Sequence, residues 1–230
     1  MKRLLFLIPC AFASQVLFAQ QASLHDINGK AVQAFDSRYT GIKGTPYFLP
    51  GWSKANLVIS SKTIFENLDV KYNVIDNNLL YRTDKGEEKV ISANQVNSFV
   101  LKDSTSAQRF VFKKLENVTG IDPKFAPQFC VMLHEGNSSQ LVLMPVKRFI
   151  KADFTGAYSA ERTSDEIVNE YVYYFINKNK KAEKVKLNKK SLLSVVNDKQ
   201  NEVKAYIDKQ KLDTSTEKGW LKALSYYETL

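Results

Sequence analysis

Val70-Lys71-Tyr72-Asn73-Val74 alternates apolar and polar side chains, and Asp76-Asn77-Asn78 stops the run before Leu79-Leu80-Tyr81-Arg82 begins another. Successive side chains of a strand point to opposite faces, so a period of two puts Val70, Tyr72 and Val74 against a core and leaves Lys71 and Asn73 in water. Asp and Asn tolerate turn conformations that other residues resist. These residues predict an antiparallel hairpin with one wet face.

The same pattern extends in both directions. Short β-like runs at 45–49, 55–60, 68–72, 79–82, 89–92, 97–101 and 109–113 are separated by turn residues such as Pro50-Gly51, Asp84-Lys85-Gly86 and Asp103-Ser104. Regular strand spacing with tight turns predicts an antiparallel meander forming a sandwich or an open barrel. In Arg109-Phe110-Val111-Phe112-Lys113 both phenylalanines fall on one side and read as core. Further on, 129–134 and 140–146 flank Glu135-Gly136-Asn137-Ser138-Ser139, a loop of hairpin length. Residues 151–166 are polar and irregular, long enough for a flap. Glu170-Tyr171-Val172-Tyr173-Tyr174-Phe175-Ile176 is apolar on both faces, which predicts a central strand; Asn177-Lys178-Asn179-Lys180-Lys181 turns it back into 183–187.

From Asn188 the apolar period lengthens toward four. Leu192, Leu193, Val195 and Val196 mark one short helix, Val203, Tyr206 and Ile207 a second over 202–211, and Trp220, Leu221, Leu224 and Tyr227 a third over 217–227. Thr214, three residues before Glu217, fits a capping box for the last of them. Helices this short are marginal alone in water, so their stripes must pack on each other and on the sheet. The expected fold is β-rich, of the α+β class: an extended leader at 20–43, an antiparallel β domain at 44–187 and a C-terminal helical cap at 188–230.

Residues 1–19 read as a signal peptide. Met1-Lys2-Arg3 is basic, 4–18 is almost wholly apolar, and Ala19 precedes the polar pair Gln20-Gln21. Pro9, Ser14 and Gln15 interrupt the apolar run, which falls short of the roughly 20 residues a membrane-spanning helix needs. The expectation is an exported protein, periplasmic or outer-membrane associated, with no transmembrane span after cleavage. Cys10 leaves with the leader, so Cys130 is the single cysteine of the mature chain; no intramolecular disulfide can form, and Cys130 reads as a small buried hydrophobe.

Much chemistry is missing from the pattern. His25 and His134 are too few and too far apart for a zinc site, so no metal is expected. Nine scattered glycines form neither a dinucleotide nor a phosphate loop, and there is no Gly-x-Ser-x-Gly elbow. No cofactor is expected. The acidic turns 76–78 and 84–88 match no EF-hand loop and read as turns. What remains for catalysis is His134 at a strand end, or the carboxylate pairs Glu87-Glu88 and Asp165-Glu166, which sit in polar loops where solvation also explains them.

Charge is uneven. Residues 178–230 hold 13 Lys against 7 Asp and Glu, whereas 20–177 hold 18 basic and 17 acidic residues. The tail has no arginine, the side chain suited to bidentate phosphate contacts, and together with export this argues against nucleic acid. Lys189 and Lys190 are candidates for contact with an envelope protein, a polysaccharide or an anionic membrane surface, set against a simply solvated helix face. Tyr47 and Trp52, amid Pro46, Pro50 and Gly51, are the aromatic candidates for stacking on a ligand, set against core closure.

Gly44-Thr45-Pro46-Tyr47-Phe48 with Trp52, Asp69-Val70-Lys71-Tyr72-Asn73, Asn78-Leu79-Leu80-Tyr81 and Val96-Asn97-Ser98-Phe99 resemble a group of uncharacterised exported proteins of Bacteroidota-type bacteria. The tail, through Lys189-Lys190-Ser191-Leu192-Leu193 to Tyr226-Tyr227, is similar to their C-terminal segment. The resemblance covers most of the mature chain, implies export and the order β then helix, and carries no activity. The expected function is an exported envelope protein that binds or scaffolds; the alternative is an envelope hydrolase using a carboxylate pair or His134. A concave pocket holding titratable groups with shifted pKa values would favour the enzyme, a filled β interior the binder.

Overall fold

The computed structural model describes residues 30–31, 36–60, 63–152 and 164–230. The signal segment, Cys10, His25 and most of the expected flap lie outside them. Among the described residues the strands are β1 (Lys30–Ala31), β2 (Ser53–Ser60), β3 (Thr63–Asn73), β4 (Asn78–Arg82), β5 (Glu88–Ser92), β6 (Ser98–Lys102), β7 (Arg109–Lys114), β8 (Phe129–Glu135), β9 (Ser139–Ile150), β10 (Glu166–Asn177) and β11 (Ala182–Val185), followed by α1 (Lys189–Val195), α2 (Gln200–Gln210) and α3 (Glu217–Tyr227). The strands form one open antiparallel sheet in the order β1-β5-β4-β3-β2-β6-β7-β8-β9-β10-β11. The β-rich fold with C-terminal helices is therefore as the sequence reads. Among the described residues the meander is interrupted twice: β1 lies beside β5, and β6 returns past β4, β3 and β2 to lie on the far side of β2, a Greek-key return.

The sheet rolls. Four strand spacings separate β3 from β8, about 19 Å if the sheet were flat, yet the rings of Tyr72 and Phe129 lie 5.9 Å apart. Bulges supply curvature: two residues of β3 oppose Asn56, with Asn67 at φ 57° and its N–H donating to the Asn56 Oδ1 at 3.1 Å. The inner face is packed with rings. Phe99 and Phe112 stack at 4.4 Å, Tyr72 meets both edge-on, Phe129 closes on Phe99, and Phe48 caps Phe112 at 4.9 Å. Leu57, Val70, Leu79, Tyr81, Ile91 and Leu101 fill the space around them.

Residues 45–49, read from sequence as a strand, make a single bridge, Tyr47 to Asn73. Their use is to span the gap in the rolled sheet. The Lys43 carbonyl accepts from the Ile167 N–H at 2.7 Å at the start of β10, and the Phe48 N–H donates to the Tyr72 carbonyl at 2.9 Å at the end of β3. Gly44 lets the chain pass: its φ is +91°, and a Cβ there would lie 2.3 Å from the Ile167 carbonyl oxygen.

β10 is not central; it is next to the edge strand β11. Its faces are both apolar because different partners cover them. Phe175 packs with Leu141, Val185 and the helices, while Tyr174 and Ile176 pack on Phe125, Cys130, Val142 and Met144. Alternation reports what covers a strand, and a helix or a loop covers it as well as a second sheet does.

The helical cap buries Leu192, Val196, Val203, Ile207, Trp220, Ala223 and Leu224 in one cluster with the sheet residues Leu141 and Phe175. The capping box at Thr214 is not formed. Thr216 is the N-cap of α3, its hydroxyl accepting from the Gly219 N–H at 3.1 Å. Asp213 shifts the start, since its carboxylate accepts the Ser215 N–H at 3.0 Å in a local turn. Gly219 is required at that position, because a Cβ would fall 1.9 Å from the Asp213 carbonyl oxygen.

Candidate functional site

The structure brings Tyr47 and Trp52 together around a lysine. Lys71 Nζ lies 4.9 Å from the centre of the Tyr47 ring and 4.8 Å from that of Trp52, and the Arg82 guanidinium lies 4.3 Å over Trp52. Arg82 is held by Glu88 at 3.0 Å. Tyr47 is only 4% exposed. This aromatic cage is occupied by the chain's own cations, so its rings contribute to local stability through cation–π contacts. Lys189 and Lys190 stand elsewhere, on α1. Lys189 pairs with Asp208, which also accepts from Lys204 at 3.1 Å, and these two hydrogen bonds hold the Asp208 carboxyl below its ordinary range. Lys190 is exposed.

Each candidate carboxylate is engaged. Glu88 pairs with Arg82, Glu87 with Lys89 at 3.6 Å, and Glu166 with Lys43 at 3.5 Å; the Asp165 carboxylate accepts the Ala152 N–H at 2.8 Å. Asp76 takes the Arg38 guanidinium and the Asn73 amide, completing a turn. Among the described residues no group of three or more His, Cys, Asp and Glu side chains is placed to hold a metal ion. The Cys130 thiol is fully buried and burial pushes its pKa up to about 12, far from the thiolate a nucleophile needs.

His134 sits just past a bulge in β8, where the register shifts between Met132 and His134 and re-aims the side chain. Its Nε2 lies 3.7 Å from the Glu228 carboxylate, just beyond the last turn of α3. That carboxylate accepts the Ser139 hydroxyl at 2.5 Å and the Ser138 N–H at 2.9 Å. A nucleophilic triad needs the imidazole between serine and acid, so that it can take the serine proton. Here the acid stands in the middle, and Ser139 is 2% exposed. The cluster is a fastening between the end of α3 and the β8–β9 hairpin. No protein-family model, curated protein or solved structure matches this chain.

Burial works to raise the Glu228 pKa, but the bonds from Ser139 and Ser138, with His134 nearby, hold it below its ordinary value of 4.5. A carboxylate with a lowered folded-state pKa stabilises the fold above its unfolded-state value, and the contribution fades as pH falls through the folded-state value. Glu228→Gln is expected to lose about 1–3 kcal/mol at neutral pH. The deficit relative to the parent should stay constant above the ordinary carboxylate range and shrink below it. Urea midpoints of both proteins from neutral to acid pH measure this; a deficit that ignores pH would show that the carboxylate charge is not what fastens the helix.

On the other face of β8 and β10 lies a cleft that the linear pattern does not reveal, with a volume of about 360 Å³. Leu115, Val118, Met132 and Ile176 supply apolar side chains to it. Residues 136–139 of the β8–β9 loop contribute a polar wall, and Lys113, Lys178 and Lys180 contribute cations. Lys113 is neutralised by Glu135, with contacts at 2.7 and 2.9 Å. Read separately, 135–139 and 177–181 were each only a turn; the signal was the lysine density of the second, and nothing local says that the two turns meet.

Proposed function

We propose that this is an exported cell-envelope protein, periplasmic or outer-membrane associated, that acts by binding or scaffolding an envelope protein, a polysaccharide or an anionic surface. The observation that carries the reading is the filled interior of the rolled sheet, where Tyr72, Phe99, Phe112 and Phe129 occupy the volume that a catalytic pocket would need. The leader at 1–19 and the resemblance to exported proteins of Bacteroidota-type bacteria support the address. The excess of lysine after residue 178 supports an acidic counterpart.

The test is cell fractionation followed by N-terminal sequencing. The expected result is a chain beginning at Gln20, found with the envelope and released by raised salt, because surface charge attraction is screened. An intact chain starting at Met1 in the cytosol would end the proposal.

A further inference from the structure

We propose that the lysine-rimmed cleft binds a small amphiphilic anion: a carboxylate or phosphate carrying an aliphatic chain. This rests on the binding reading above and names its ligand class. A volume of about 360 Å³ falls within the range of small-molecule sites. The lining splits by chemistry. Leu115, Val118, Met132 and Ile176 offer aliphatic and thioether surface, and among the described residues no lining side chain is aromatic, so the lining offers no flat ring on which a sugar would stack. The cations divide as well. Lys113 is held by Glu135, and the Lys114 amine turns away to the Ala93 carbonyl at 2.7 Å. Lys178 and Lys180 are exposed, and among the described residues neither has a carboxylate partner. Among the described residues Glu116, also exposed, is the other acidic group of the lining besides Glu135.

The β10–β11 turn fixes the backbone that carries these two lysines. The Asn177 side-chain carbonyl accepts the N–H groups of Asn179 at 3.0 Å and Lys181 at 3.1 Å, which closes the turn over the end of β10. The opposite wall is fixed by Glu228 through Ser138 and Ser139. An anion is drawn to the two ammonium groups as point charges, while its aliphatic chain leaves water against Met132 and Leu115. Neither half suffices alone: two exposed lysines hold a small anion weakly in water, and the apolar area is modest.

Titration calorimetry on the mature protein with monomeric decanoate and decyl phosphate tests this, with decyl maltoside as the neutral counterpart and inorganic phosphate as the headgroup alone. Saturable binding of at least one decyl anion at one site is expected, with inorganic phosphate and decyl maltoside each weaker by about tenfold or more. Lys180 sits at φ 56°, where asparagine is more at ease than lysine, so Lys180→Asn removes the charge without loosening the turn. Combined with Lys178→Gln it should weaken the anions about tenfold while leaving the melting temperature unchanged and decyl maltoside unaffected. Equal affinity for decyl maltoside, an unaltered anion affinity in the double variant, or no saturable anion binding would each overturn the assignment. In those cases an envelope-bound chain beginning at Gln20 would still uphold the broader reading; saturable decyl-anion binding that the double variant weakens, by a protein found unprocessed in the cytosol, would instead uphold the cleft and end the envelope reading.

Discussion

Phe112→Ala is expected to lower the free energy of unfolding by about 3–5 kcal/mol, the range for removing a buried ring whose cavity cannot collapse. Phe112 is fully buried, stacked on Phe99 and met by Phe48 and Tyr72 from the sides. Those rings come from β6, from residues 43–48 and from β3, so the loss would loosen contacts across the roll of the sheet as well as within one strand pair. Urea denaturation with an unchanged slope would read the loss directly. A cost below about 1 kcal/mol would mean that the interior is not packed around this ring, and the filled-interior case for a binding protein would go with it.

Trp220→Ala carries a similar expected loss, about 3–5 kcal/mol, and asks a different question. The indole has no exposed surface, and its Nε1–H donates to the Thr214 carbonyl at 2.9 Å. α3 is fastened to the sheet at both ends, by the Tyr173 hydroxyl donating to Glu217 at 2.9 Å and by Glu228 on the β8–β9 hairpin. Because Leu141 and Phe175 belong to the same cluster as Trp220, the cap and the sheet should melt together. One cooperative transition at a lower midpoint is expected, followed by far-ultraviolet circular dichroism and by Trp52 fluorescence. Two separate transitions, with the sheet unaffected, would instead make the cap an independent unit.

Strand after strand lies where period-two patterning and turn residues put it, because each is half buried and wears its environment on alternate positions; β4 and β6 match to within a residue. α3 spans the same residues, 217–227, as its stripe. The misreadings share a cause. Whether Thr214 or Thr216 caps α3 depends on a turn made by Asp213 and on the space around Gly219, and whether β10 is central depends on what lies over it. Local pattern reports burial without naming the neighbour.

The site candidates divide in the same way. Tyr47 and Trp52 were legible as a cluster because they are close in sequence, but Lys71 and Arg82, which occupy the rings, arrive from β3 and β4. His134 was legible as a titratable group at a strand end; that a carboxylate 94 positions later would reach its hairpin was not. The cleft needs residues from β7, β8, β10 and the turns beyond them.

The chain by itself determined most strand and helix positions and the burial of Cys130, and it set the expectation of export, since each depends on patterns a few residues long. The tertiary structure decided the roll of the sheet, the return of β6, the fastening of α3 and the meeting of two loops around a basic cleft. Those are encounters between residues far apart in sequence, set by the packing of whole surfaces, and a one-dimensional pattern holds no record of which surface meets which.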